Sequence, residues 1–290
     1  MKNVLLLGES GFVGSVVYSS LYDVCNVYTI TSSKKITIDN IFEITNDIFK
    51  NIELNNIDVV INCIAMANLD QCERNKLECK LVNTTFVTHI VDYLKDKNIK
   101  LVHISSNAVY DGLNAPYSEN SLREPINYYG LCKSKADNYI ERNLKNYAIA
   151  RPITVYGPRK KEQRDNPVSF IIKKILSGES FELVDDNIVN MIHVEDLSVA
   201  IKKLSLSDLK GVYNLSGNIS ECRYDLGIRV AKIMGSDVSK INKVSGSNFK
   251  MVAKRPYDTS FDNKKMRVVL NIEPKNIDVA ISEILDAQAY

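Results

Sequence analysis

A doubly wound α/β fold, a parallel sheet with helices on both faces and a smaller interleaved lobe, is what this chain of 290 residues predicts. Three observations carry that expectation. Short β-rich runs alternate with helical segments through the first half of the chain. Three glycines at spacings of three (Gly8, Gly11, Gly14) fall between the first such run and the first helical segment. The stretch 58–64, Asp-Val-Val-Ile-Asn-Cys-Ile, is apolar almost throughout, as a strand buried on both faces must be.

In chain order, residues 4–7 predict a strand, 12–21 a helix and 26–31 a second strand. The buried strand 58–64 follows, then helical spacing over 78–95 and a strand at 100–105. Residues 129–143 read as a helix and 147–153 as the next strand. After residue 159 the regularity fades. Residues 160–166 are charged and loop-like, 167–176 helical, 181–184 a short strand, and 212–215 a strand returning to the main sheet. Helices at 223–234 and 277–287 close the chain, the last amphipathic. The expected division is 1–155 for the sheet domain and 156–290 mainly for the second lobe.

The composition, 45% hydrophobic and 25% charged, is that of an ordinary globular protein. The 37 basic and 35 acidic residues are spread evenly, so no stripe exists to neutralise a row of phosphates, and nucleic acid is not an expected partner. The apolar run near Met1 breaks at Gly8-Glu9-Ser10, too short for a signal peptide. No stretch approaches the ~20 apolar residues that span a bilayer. A cytoplasmic protein without a membrane partner is expected. Six cysteines without a CxxC pair read as free thiols in a reducing compartment. The three histidines (His89, His103, His193) are too dispersed to predict a metal site.

The glycine loop has a physical rationale. A chain that turns from strand into helix while pressing its backbone against a pyrophosphate has no room for a Cβ. The helix start then offers N–H groups and the positive end of its dipole to the phosphates. Gly8, Ser10, Gly11, Phe12, Val13 and Gly14 are therefore candidate dinucleotide contacts. An acidic residue after the second strand would bind a ribose 2′-hydroxyl. Here the chain reads Thr31-Ser32-Ser33-Lys34-Lys35, without a carboxylate. Ser32, Ser33 and Lys34 suit a 2′-phosphate instead, which favours NADPH over NADH.

Tyr129-Gly-Leu-Cys-Lys133 is a YxxxK on a predicted helix, with phenol and ammonium one turn apart on one face. A free phenol, with a pKa near ~10, is a poor proton donor or acceptor at neutral pH, and a fixed cation nearby stabilises its phenolate. Tyr128 has Cys132 four residues on, so the register falls on Tyr129. Ser106, where the predicted strand 100–105 ends, lies where open α/β sheets bind ligands and can hydrogen-bond a substrate carbonyl.

In these motifs the chain resembles the extended short-chain dehydrogenase/reductases, which have a Rossmann sheet, and among them the dTDP-4-dehydrorhamnose reductase branch. The segment from Ser105 to Gly112 is similar to that branch's Ser-Thr-Asp-Tyr-Val-Phe-Asp-Gly, which puts Ser106 on the catalytic hydroxyl, and Tyr129 and Lys133 fall on its catalytic pair. The segment from Asn62 to Asp70 resembles the stretch where its backbone passes the nicotinamide ribose, implying a contact at Ala65. Glu43-Ile44-Thr45-Asn46 occupies the place where the class contacts adenine, implying one at Ile44. Arg151-Pro-Ile-Thr-Val-Tyr-Gly157 matches the entry to the substrate lobe. Arg255-Pro-Tyr-Asp-Thr-Ser-Phe-Asp-Asn-Lys-Lys-Met266 is like the branch's C-terminal motif.

The resemblance implies NADPH-dependent reduction of a 4-keto-6-deoxy nucleotide sugar, linked to UDP or dTDP, to the L-rhamnose nucleotide. Asn107-Ala108 stands where the reductases carry Asp-Tyr, and the segment from Asn187 to His193 departs from their substrate loop. Asn68-Leu-Asp-Gln-Cys72-Glu73 also resembles a segment of bifunctional 3,5-epimerase/4-reductases, in which case Cys72 with Lys173, or with neighbouring Lys174, would be the epimerase acid–base pair. Two other functions stay open at this point. One is a non-catalytic regulatory subunit of the same fold, as in methionine adenosyltransferase. The other is a nucleotide-sugar 4-epimerase with tightly bound NAD. A homodimer is compatible with each.

Overall fold

In the computed structural model, which describes residues 1–30 and 36–287, the first half of the chain alternates strand and helix as its sequence predicts. It runs β1 (Asn3–Leu7), α1 (Phe12–Leu21), β2 (Asn26–Thr29), α2 (Ile41–Leu54), β3 (Val59–Asn62), α3 (Leu69–Arg74), α4 (Lys76–Lys80), α5 (Phe86–Leu94), β4 (Lys100–Ile104), α6 (Tyr128–Asn143) and β5 (Tyr147–Pro152). Then follow β6 (Val155–Tyr156), α7 (Pro167–Leu176), β7 (Phe181–Val184), β8 (Ile192–His193), α8 (Val194–Leu206), β9 (Gly211–Leu215), α9 (Arg223–Ile233), β10 (Ile241–Val244), α10 (Lys264–Val269) and α11 (Ile277–Ala287).

Six strands form one sheet in the order β2-β1-β3-β4-β5-β9, and every neighbouring pair is parallel. The residues of β1 divide between its faces as a doubly wound sheet requires. Val4 and Leu6 enter one apolar core with Val17 and Leu21 of α1, Leu197 and Ile201 of α8 and Ile281 of α11. Leu5 and Leu7 enter a second core with Ile48 of α2, Ile90 of α5 and Ile140 of α6. Each such side chain, fully buried, contributes on the order of 1.5–3 kcal/mol of transfer free energy. The first core continues without a break into β7 and α9 through Phe181, Leu183, Leu226 and Val230. Strand order reverses between β1 and β3, so the crevice beyond their carboxyl ends is the switch point where open sheets take ligands.

Several elements differ from expectation. Helix α2 was not predicted, yet Ile41, Ile44, Ile48 and Ile52 repeat every three or four residues and are buried. Helix α8 was missed in the same way, with Val194, Leu197, Ile201 and Leu204 as its inner stripe. The helix expected over 78–95 is interrupted by a π-helical turn, Leu81–Thr85, between α4 and α5. Strand β3 stops at Asn62 rather than running to residue 64, where the Asn62 side chain accepts the Ile64 N–H at 3.0 Å and turns the chain. Among the described residues no helix is long and apolar enough to cross a membrane.

Candidate active site

The turn after β1 needs its glycines. Gly8 has φ +85°, and a Cβ there would stand 3.2 Å from the Cys63 carbonyl carbon. At Gly14 a Cβ would lie 2.0 Å from the Gly8 carbonyl oxygen, so α1 starts hard against the turn. The N-cap of α1 is Gly11, which has no side chain to accept the first N–H groups, and the first turn carries no carboxylate. Those donors are left for an outside anion, and an unopposed dipole favours a negative one. The loop fits a dinucleotide pyrophosphate.

Ser10, Gly11, Phe12, Val13 and Gly14 line a cleft of about 1270 Å³. Its other walls are the segments leaving β3 (Cys63, Ala65, Ala67), β4 (Ile104, Ser105, Ser106, Asn107) and β5 (Ile153, Thr154), with Tyr129 and Lys133 from α6. A single drug-sized ligand takes roughly 300–1,000 Å³. This cleft has room for a dinucleotide and a second molecule together.

The start of α6 sets the chemistry. Asn127 caps the helix by accepting the Gly130 N–H at 2.9 Å, and Glu73 accepts the Tyr128 N–H at 3.0 Å. Gly130 presses on the 3-10 turn Asn107–Val109, bringing Tyr129 to Ser106. Burial pushes the Tyr129 phenol well above its usual range, while its hydrogen bond with Ser106 pulls the other way. The Ser106 Oγ also accepts the Ala108 N–H at 3.2 Å. Lys133 is 1% exposed and donates to the Ile104 carbonyl at 2.8 Å. Burial lowers it to about 8, against the attraction of Asp137. Ser106, Tyr129 and Lys133 thus share one wall of the cleft.

Supporting residues were not evident from the sequence motifs. Asp137, one turn beyond Lys133, is fully buried and accepts from Ser105 Oγ and from Arg151, both at 2.8 Å. The pair anchors α6 to β5 beneath the lysine. The π-helical turn aims Asn83 at the segment after β3, where it accepts the Met66 N–H at 3.1 Å and donates to the Met66 carbonyl at 3.0 Å. Such turns recur at functional sites because the extra residue redirects a side chain. Asn107 donates to Thr259 at 2.7 Å, and Arg255 pairs with Asp70 at 3.0 Å across the cleft mouth, tying the C-terminal motif to the site.

Other candidates lie elsewhere. Ile44 is turned into the second core by the helical periodicity of α2 and does not line the cleft. Cys72 is fully buried, packs with Cys79, Cys132, Ala108 and Tyr129, and donates its thiol to the Met66 carbonyl at 3.2 Å. Lys173 stands exposed on α7, paired with Asp165 at 2.8 Å. Neither Cys72 nor Lys173 is a lining residue. Ser32, Ser33 and Lys34 fall outside the described residues.

A family model described as the RmlD substrate binding domain matches residues 1–290. The chain belongs to this family. Curated relatives of the RmlD domain chain include dTDP-4-dehydrorhamnose reductase of Aggregatibacter actinomycetemcomitans, 23% identical, with 98% of each chain covered. Methionine adenosyltransferase 2 subunit beta of Xenopus laevis is 24% identical over 72% of this chain and 64% of its own length. In fold, this RmlD domain is like the dTDP-4-dehydrorhamnose reductase of Bacillus anthracis, solved in complex with NADP. That match has a TM-score of 0.88 and 23% identity, and covers 99% of this chain and 100% of the other.

Proposed function

We propose that this RmlD-family chain is an oxidoreductase that uses NADPH to reduce the 4-keto group of a 6-deoxy nucleotide sugar linked to dTDP or UDP. The observation that carries the reading is the convergence of Ser106, Tyr129 and Lys133 on the cleft that also receives the uncapped start of α1. The dTDP-4-dehydrorhamnose reductases among its relatives support the substrate class.

Ser10 to Gly14 would hold the cofactor's pyrophosphate, with Ala65 and Lys133 along its path toward Tyr129. When bound, the nicotinamide supplies a hydride. Ser106 would donate a hydrogen bond to the substrate carbonyl and fix its orientation. Tyr129 would deliver its proton to the oxygen as negative charge develops there, a role suited to a phenol that burial keeps protonated. The Lys133 ammonium would stabilise the phenolate left behind and favour its reprotonation. No epimerase step belongs to this reading, because the Cys72 thiol is shut off from the cleft and Lys173 is engaged by Asp165. The intact trio argues against a purely regulatory role.

The test is NADPH oxidation with the dTDP- and UDP-linked 4-keto-6-deoxy sugars already in the L-configuration, run in parallel, with products identified by NMR. Turnover of either to the rhamnose nucleotide supports the reading. Turnover of neither, with the cofactor bound, would remove it.

A further inference from the structure

The cleft is also lined by β7 and the start of α9, where Leu183, Val184, Phe249 and Met251 stand beside Glu182. One cation lies there, Arg223, the first residue of the 11-residue helix α9. Its position is unusual among the arginines around the cleft. Arg255 is neutralised by Asp70 at 3.0 Å and Arg159 by Asp165 at 2.5 Å. Arg164 is exposed on the loop that reaches α1 through Gln163 and Ser15, at the cofactor end. Among the described residues Arg223 has no carboxylate partner. Its one hydrogen-bond acceptor among them is the Met191 thioether, 3.2 Å from Nη1, a weak acceptor for a guanidinium with five N–H donors. The nearest carboxylate acting on it, Glu221, is taken by Arg229 at 2.9 Å. Burial disfavours its charge and pulls it down to about 10, so it remains a cation at neutral pH without the usual compensation.

A half-buried guanidinium that faces a cleft without a carboxylate partner is matched by an anion that can accept two parallel N–H bonds. The cofactor's phosphates are provided for at the uncapped start of α1. We propose that Arg223 is the anion anchor of the substrate end, gripping the diphosphate of a nucleotide and so fixing how far the sugar reaches toward Tyr129. This assignment rests on the nucleotide-sugar reading above and adds to it a residue that would decide between diphosphate-bearing and phosphate-free ligands.

The experiment is calorimetry on the NADPH-loaded protein with dTDP, UDP and thymidine, for wild type, Arg223→Met and Arg223→Lys. Arg223→Met is expected to weaken the nucleoside diphosphates about 10-fold or more, the scale of a lost charge-assisted pair. Thymidine and NADPH affinities should stay within about 2-fold, and Arg223→Lys should recover part of the loss. If wild type binds dTDP or UDP and Arg223→Met binds it equally well, the anchor is elsewhere and the functional reading survives. If Arg223→Met weakens NADPH as much as dTDP, the residue serves the fold or the cofactor, and the proposal is overturned. Binding of neither nucleotide by wild type would remove the anchor together with the functional reading.

Discussion

Gly130 and Ala108 meet so closely that a Cβ on Gly130 would lie 1.9 Å from the Ala108 carbonyl oxygen. This contact sets the distance between α6, which carries Tyr129 and Lys133, and the turn that carries Ser106. The Ala108 carbonyl is backbone, so the methyl group cannot be absorbed by a rotamer change. Gly130→Ala should push the helix off the turn. Because a misplacement of about 1 Å can cost 10²-fold in rate, kcat should fall about that far while NADPH still binds. Steady-state kinetics with cofactor titration checks this, and an unaffected kcat would show that the helix can move without separating the trio.

Tyr129→Phe removes the proposed proton donor and leaves the ring that packs with Cys72 and Cys132. The variant should fold normally and bind NADPH, and turnover should fall by about 10² or more, the usual scale for losing a general acid. Near-wild-type kcat would mean that another group delivers the proton.

Lys133 gives the reaction a pH limit. Its folded pKa is lowered to about 8 by burial, so the ammonium is complete below that value and is lost as pH rises through it. Tyr129 is shifted upward and stays protonated over the same range. The reductive kcat should therefore hold at neutral pH and fall above an apparent pKa near 8. A pH–rate profile flat to pH 10 would deny the ammonium its part.

Much of this was legible in the residues. The spacing of Gly8, Gly11 and Gly14 and the apolar strand cores carry the sheet, because close backbone approach and two-sided burial each demand a narrow residue set. The YxxxK register located the pair on α6. Asp137 was in principle readable as the next residue on that face, at i+4 from Lys133. Asn83 was not, because its aim depends on a π-helical turn that no local pattern announces. The burial of Cys72 was equally hidden: a cysteine beside Glu73 reads as a rim residue until α3, α4 and α6 close around it.

The proposed preference for NADPH is assigned to the residues that follow β2. Their sequence has hydroxyls and lysines and no carboxylate. Replacing Lys34 and Lys35 together by Ala should weaken NADPH far more than NADH, since only NADPH carries the 2′-phosphate. Fluorescence titration with both cofactors measures this. Equal losses, or none, would assign the discrimination to other residues.

Cys72 separates a reductase from a reductase that also epimerises. Its side chain has no exposure, its thiol is committed to the Met66 carbonyl, and it packs behind Tyr129 rather than across the cleft from it. An epimerase thiol has to reach a carbon next to the keto group and exchange a proton with solvent. With no such access, wild-type protein given the nucleotide-linked 4-keto-6-deoxyglucose in D₂O, without a separate epimerase, should incorporate no deuterium at C3 or C5. Cys72→Ser should reduce a pre-epimerised ketone at a rate within about 3-fold of wild type, since the serine keeps a donor for the same carbonyl at some loss of packing. The two measurements answer different questions. Deuterium at C3 or C5 in wild type would restore the epimerase activity whatever its residues. Its disappearance in Cys72→Ser, with reduction intact, would assign that activity to the thiol and require α3 to open during turnover.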